Sequence, residues 1–199
     1  MTEQLVLASA SRARAELLAK AGLNAAVEPA VVDEEAIKQA FRTAGLSHIE
    51  CVLSLAETKA RRVAERYDRV FVIGADQILV CDGVWFDKPL DLTMARAQLQ
   101  VLRGRMHELV TAACVVRNRT LLWHTVSRPK LRMREFTDRF LDDYFGSEGS
   151  SILGSVGAYR LEGRGVQLFA CVEGDYFAIL GLPLLELLRF LRERGHVPS

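Results

Sequence analysis

The chain has 199 residues, 50% of them hydrophobic and 26% charged, with a formal net charge of +1. That length and balance suit one large domain with a full core, or two closely fused lobes, and exclude a disordered chain; the near-zero charge argues against non-specific DNA binding as the main activity and leaves room for a local basic site. No apolar run reaches membrane-spanning or signal-peptide form. Cys51, Cys81, Cys114 and Cys171 lie far apart among apolar residues, which predicts buried free thiols in a reducing cytoplasm and no zinc site.

In chain order, Leu5–Ala8 is a short apolar run that predicts a buried strand. It breaks into Ser9-Ala10-Ser11, and the stretch from Ala15 to Ala21 predicts a helix ended by Gly22. Two hydroxyls, Arg12, Arg14 and the free N–H groups of a helix start would seat a phosphate; equally, Ser11 is a plain N-cap. Residues 24–32 read as extended. Asp33-Glu34-Glu35 opens a helix through Ala44, where acidic residues either serve the macrodipole or hold a metal. The longest helical pattern spans Ile49–Tyr67, with Lys59 beside its apolar stripe, either snorkelling outward or reaching a phosphate.

Val70–Ile73 predicts a central strand ending in Gly74-Ala75-Asp76-Gln77. An acidic residue at that place either caps turn amides or does chemistry. Ile78–Val80 and Val84–Phe86 flank Asp82-Gly83, a hairpin signal that returns Asp87-Lys88-Pro89 towards Asp76, with Pro89 keeping Lys88 extended. A helix over Thr93–Leu102 follows, then two long strands, His107–Arg117 and Thr120–Arg134, and a helix from Thr137 to Phe145. The Gly/Ser-rich stretch Gly146–Gly165 is either a mobile linker or a loop approaching a ligand. Val166–Val172 and Tyr176–Leu180 predict strands, and Leu184–Arg194 the last helix. His48, His107, His124 and His196 show no metal-ligand spacing, and the basic cluster Arg128–Arg134 reads as a solvated strand face. Alternating strands and helices, with hairpins later, predict an α/β domain on a mixed sheet.

Eight stretches in order resemble the Maf family of nucleoside triphosphate pyrophosphatases: residues 7–18 (LASASRARAELL), 32–35 (VDEE), 55–60 (LAETKA), 73–76 (IGAD), 87–89 (DKP), 103–112 (RGRMHELVTA), 157–163 (GAYRLEG) and 173–184 (EGDYFAILGLPL). The resemblance implies one domain over residues 1–199, with an elongated mixed sheet, flanking helices and a cleft between two lobes, as in the inosine triphosphate pyrophosphatases. It implies a homodimer, and the cysteine usage, net charge and hydropathy read above add the expectation of a cytoplasmic protein with no nucleic-acid or membrane partner. The implied reaction is hydrolysis between the α and β phosphates of a nucleoside triphosphate, dependent on Mg²⁺ or Mn²⁺. Ser9, Arg14, Glu34, Lys59, Asp76 and Lys88 fall on the family's active-site positions, with Asp76 the proton acceptor and Glu34 and Asp76 suited to the metal.

The chain departs from the commoner family opening Ser-Pro-Arg-Arg, having Ser11-Arg12-Ala13-Arg14. Gln77 and Glu162 resemble the branch acting on 7-methyl-GTP, while the dTTP/UTP branch carries Thr and Gln there. A carboxylate at position 162 would accept from a guanine edge; alternatively it pairs with Arg160 or Arg164 in its own loop. A non-catalytic nucleotide-binding regulator of septum formation is the competing role the resemblance allows.

Overall fold

The apolar run after Gln4 is a strand whose three side chains are all buried: β1 (Leu5–Leu7) runs parallel to β2 (Ala25–Val27) and to the start of β3 (Phe71–Cys81), with Leu5 opposite both Ala25 and Phe71. The computed structural model describes residues 4–198. Parallel neighbours need crossover connections. Here these are α1 (Arg12–Lys20) between β1 and β2, then α2 (Glu34–Thr43) and α3 (His48–Ala64) between β2 and β3. All three helices start on a capping side chain, Ser11, Asp33 or Ser47, that accepts from the backbone N–H three residues on. Ser47 and Glu50 complete a reciprocal capping box.

The hairpin expected at Asp82-Gly83 forms, joining β3 to β4 (Val84–Phe86) through two residues of positive φ. β3 is one strand of 11 residues, not a four-residue strand followed by a turn. Asp76 therefore stands in its middle rather than beyond its end. After α4 (Leu92–Leu102) comes β5 (Met106–Arg117), and the second long strand expected beside it is divided at Pro129 into β6 (Thr120–Ser127) and β7 (Lys130–Met133). β6 pairs with the later half of β5 and β7 with its beginning; proline, lacking an N–H, cannot continue the ladder.

Beyond α5 (Asp138–Glu148), capped by Thr137 as its sequence predicts, the Gly/Ser-rich stretch winds into short 3₁₀ turns over Gly149–Gly154, Val156–Ala158 and Arg164–Leu168. It buries Ile152, Val156, Ala158, Tyr159 and Leu161, so it is packed rather than a loose linker. β8 (Phe169–Glu173) follows, three residues later than the sequence suggests. Tyr176–Leu180 is not a strand: Tyr176–Ile179 is a helical turn, α6, because both Asp175 carboxylate oxygens accept from its first N–H groups. The last helix is α7 (Leu184–Glu193).

The strands hydrogen-bond in the order β2-β1-β3-β5-β7-β8, with β4 on β3 and β6 on β5, a mixed sheet flanked by helices. The chain forms two compact units. One comprises the chain up to Gln77, Thr111–Ser127 and the chain from Gly181 onward; the other comprises Ile78–Val110 and Arg128–Leu180. In the first, Val6, Leu7, Val52, Leu55, Val63, Ile73 and Val115 are fully buried, and Phe190 of α7 stacks on Trp123 at 5.5 Å. In the second, Leu99, Leu102, Leu131, Met133, Leu141, Tyr144 and Leu168 form one core. Cys51, Cys81 and Cys114 are buried free thiols as expected; Cys171, on β8, is exposed, contrary to expectation. No helix among the described residues is long and apolar enough to cross a membrane.

Candidate active site

Small residues let α3 settle on β3. A methyl group at Gly74 would stand 2.1 Å from the Ala56 carbonyl oxygen and 2.8 Å from the Ala60 Cβ. With the helix that close, Lys59, one residue before Ala60, points at β3 instead of reaching for water. Its Nζ donates to Asp76 Oδ1 at 2.5 Å and lies 2.8 Å from Glu34 Oε1. The side chains of Lys59 and Asp76 are 9% and 8% exposed; Glu34, in the first turn of α2, is 44% exposed. Three consecutive elements, α2, α3 and β3, thus meet on one ammonium group. A buried charge is tolerable only when it is paired and hydrogen-bonded in this way.

Arg14 comes to the same place from α1. It is buried; its Nη1 donates to Ser9 Oγ (3.1 Å) and to the Ala75 carbonyl (2.8 Å), and its Nε donates to the Gly181 carbonyl (2.7 Å). Ser9, itself buried, also accepts from the Ser11 N–H at 3.2 Å. Gly181 has a φ of +103°, and a Cβ there would sit 3.1 Å from Arg14 Nε. Burial pulls the Arg14 guanidinium below its ordinary range, while the charges of Asp76 and Glu34 act in the opposite direction. A guanidinium stays protonated regardless, so Arg14 is a fixed positive charge held by the backbone.

The structure therefore brings together Ser9, Arg14, Glu34, Lys59 and Asp76. Arg12 stands apart, exposed and paired with Glu16. Gln77 follows Asp76 on β3, and the pleat sends it to the opposite face, where its Nε2 donates to the buried Thr111 Oγ1 at 2.8 Å. Lys88 and Glu162 are residues of the second unit. Lys88 is exposed before a buried Pro89; Glu162 Oε1 accepts from Arg160 Nε at 3.1 Å, the loop pairing its sequence allows. Asp76 Oδ2 is buried with no hydrogen-bond partner. An orphaned carboxylate oxygen beside a second, half-exposed carboxylate is a donor set that suits an oxygen-seeking divalent ion, although the described residues hold no ready-made group of three or more such ligands.

Sequence reasoning missed three contributors. Gly74 reads as a strand terminator but is the contact that admits α3. Gly181, just before the last helix, supplies a carbonyl to Arg14 from far along the chain. Thr111 lies inside an apolar strand and is the partner of Gln77. Only the last had a local signal, a hydroxyl in a run that is otherwise buried and apolar.

A family model described as Maf-like protein matches residues 4–194. A nucleoside triphosphate pyrophosphatase of Granulibacter bethesdensis is 53% identical over 190 residues, covering 96% of each chain. One of the same name from Paramagnetospirillum magneticum is 50% identical, covering 96% of this chain and 99% of its own. A 7-methyl-GTP pyrophosphatase of Rhizobium meliloti is 44% identical over the whole of both chains.

Proposed function

The chain belongs to the Maf family, and from that premise we propose a metal-dependent nucleoside triphosphate pyrophosphatase that hydrolyses the α–β phosphate bond, releasing the monophosphate and pyrophosphate. General pyrophosphatase activity is what its relatives carry in their names. The observation that supports this chemistry most directly is the buried Asp76 carboxylate, fixed through Oδ1 by Lys59 and left open at Oδ2.

In the proposed reaction water attacks the α-phosphorus directly. Asp76 Oδ2 orients the water and takes its proton. Arg14 and Lys59 offset the charge building on the phosphate oxygens, a role also proposed for Lys88 on the family resemblance of its Asp87-Lys88-Pro89 motif. Ser9 holds Arg14 in place and offers a hydroxyl at the phosphate end. Glu34 and Asp76 are the residues that would hold Mg²⁺ or Mn²⁺, which when bound supplies Lewis-acid stabilisation of the leaving pyrophosphate.

For the base we favour a modified purine such as 7-methyl-GTP, on the residue types Gln77 and Glu162; dTTP or UTP is the alternative. Glu162 must then exchange Arg160 for the base. Action as a homodimer in the cytoplasm, without a nucleic-acid partner, belongs to the same proposal. A screen of nucleotides with Mg²⁺ or Mn²⁺ for pyrophosphate release tests it, repeated on Gln77→Thr/Glu162→Gln, which should move preference towards pyrimidines. Orthophosphate as first product refutes the bond assignment, and a triphosphate bound but left uncut favours a regulatory role.

A further inference from the structure

Among the described residues, Arg14, Lys59, Glu34 and Asp76 bring two positive and two negative charges together, with Lys59 touching both carboxylates. A divalent cation entering alone would meet an ammonium already seated on its two oxygen donors and would leave a buried site strongly positive. A polyphosphate entering alone would meet two carboxylates, one of them buried. Brought in together, the ion and the polyphosphate largely cancel, and the phosphate oxygens give the ammonium somewhere else to go.

We propose that Lys59 makes this site selective for a divalent ion carried by a polyphosphate, because its ammonium holds the Asp76 and Glu34 carboxylates until an anion draws it away. This rests on the pyrophosphatase reading and adds to it a specificity role for Lys59 that phosphate binding alone does not require. Two features support it. Asp76 Oδ2, in a side chain more than nine-tenths buried, has no partner, so it stays available to the attacking water when Oδ1 passes from the ammonium to the ion. Glu34 rides on α2, a helix with no fully buried residue, so its carboxylate can follow the ammonium or leave it at little packing cost.

The test is Mn²⁺ binding to the whole chain, read by water-proton relaxation enhancement rather than by turnover. Wild type should bind Mn²⁺ alone weakly, and inorganic tripolyphosphate should raise the apparent affinity at least about tenfold. Lys59→Met should bind Mn²⁺ alone at least about tenfold tighter than wild type, and adding Asp76→Asn should abolish that gain. Arg14→Met removes the same charge without releasing either carboxylate oxygen, so its gain should be smaller. The proposal is overturned if wild type binds Mn²⁺ alone as tightly as with tripolyphosphate, or if Lys59→Met binds it no tighter than Arg14→Met. The Lys59→Met result needs no hydrolysis. A gain there with no pyrophosphate from any nucleotide would sink the activity and keep this coupling; pyrophosphate release by a wild type that binds free Mn²⁺ tightly would do the reverse.

Discussion

Replacing Gly74 by alanine tests the packing on which the site depends. The added methyl would stand 2.1 Å from the Ala56 carbonyl oxygen, where ordinary contact begins at about 3.4 Å, so α3 or β3 must give way by about 1.3 Å. The atom met is helix backbone, which cannot swing aside as a side chain would. Overpacking of this kind costs about 2 kcal/mol, or about 4–8 °C in melting temperature for a chain of this length. The functional effect should be larger. Lys59 lies three residues beyond Ala56 on the same helix, so a retreat of α3 carries its ammonium away from Asp76, now at 2.5 Å, and from the phosphate oxygens it is proposed to reach. Misplacement of a catalytic group by 1 Å costs about 100-fold in rate. The expected outcome is a folded variant with a modestly lower melting temperature and kcat down about 100-fold, measured by metal-dependent pyrophosphate release. A variant with wild-type kcat would refute the argument that α3 contact sets the Lys59–Asp76 geometry.

Asp76→Asn should retain the fold by circular dichroism yet lose about 100- to 10,000-fold in kcat, because an amide keeps the shape but cannot take the proton from water; wild-type turnover would remove Asp76 from that role. The second unit carries a pH dependence of its own. His107 is buried with its Nε2 2.9 Å from the Tyr159 hydroxyl and its Nδ1 unpartnered, and burial pushes its pKa down to about 4. The unfolded chain binds this proton near pH 6.5. Between pH 6.5 and 4 the unfolded state is therefore protonated and the folded state is not. The His107 contribution is complete above pH 6.5 and lost as pH falls through that window, about 3 kcal/mol in all. Urea unfolding of His107→Gln at pH 7 and pH 4.5 should show a correspondingly smaller loss on acidification than wild type; equal losses would refute it.

Much of this fold is legible in the sequence because its signals are local. Ser11, Asp33, Ser47 and Thr137 each cap the helix that follows, and Asp82-Gly83 turns the hairpin, each within three or four residues of the group it satisfies. The errors occur where two local signals compete or the deciding partner is remote. Tyr176–Leu180 has strand-like composition, but Asp175 satisfies two N–H groups at once and a helical turn wins. Gly74 has the local meaning of a break only until Ala56 and Ala60 are known to lie against it. The site is divided in the same way. That Lys59 sits beside an apolar stripe is written in the helical period; that it faces a carboxylate 17 residues away, and holds a second one from another helix, is not. Arg14 is the extreme case, since the carbonyl that fixes its Nε is 167 residues distant. Residue type identified the charges, but whether two cations and two carboxylates repel, pair or wait for a ligand depends on distances of about 3 Å, and these are set by how closely a glycine lets a helix approach a strand.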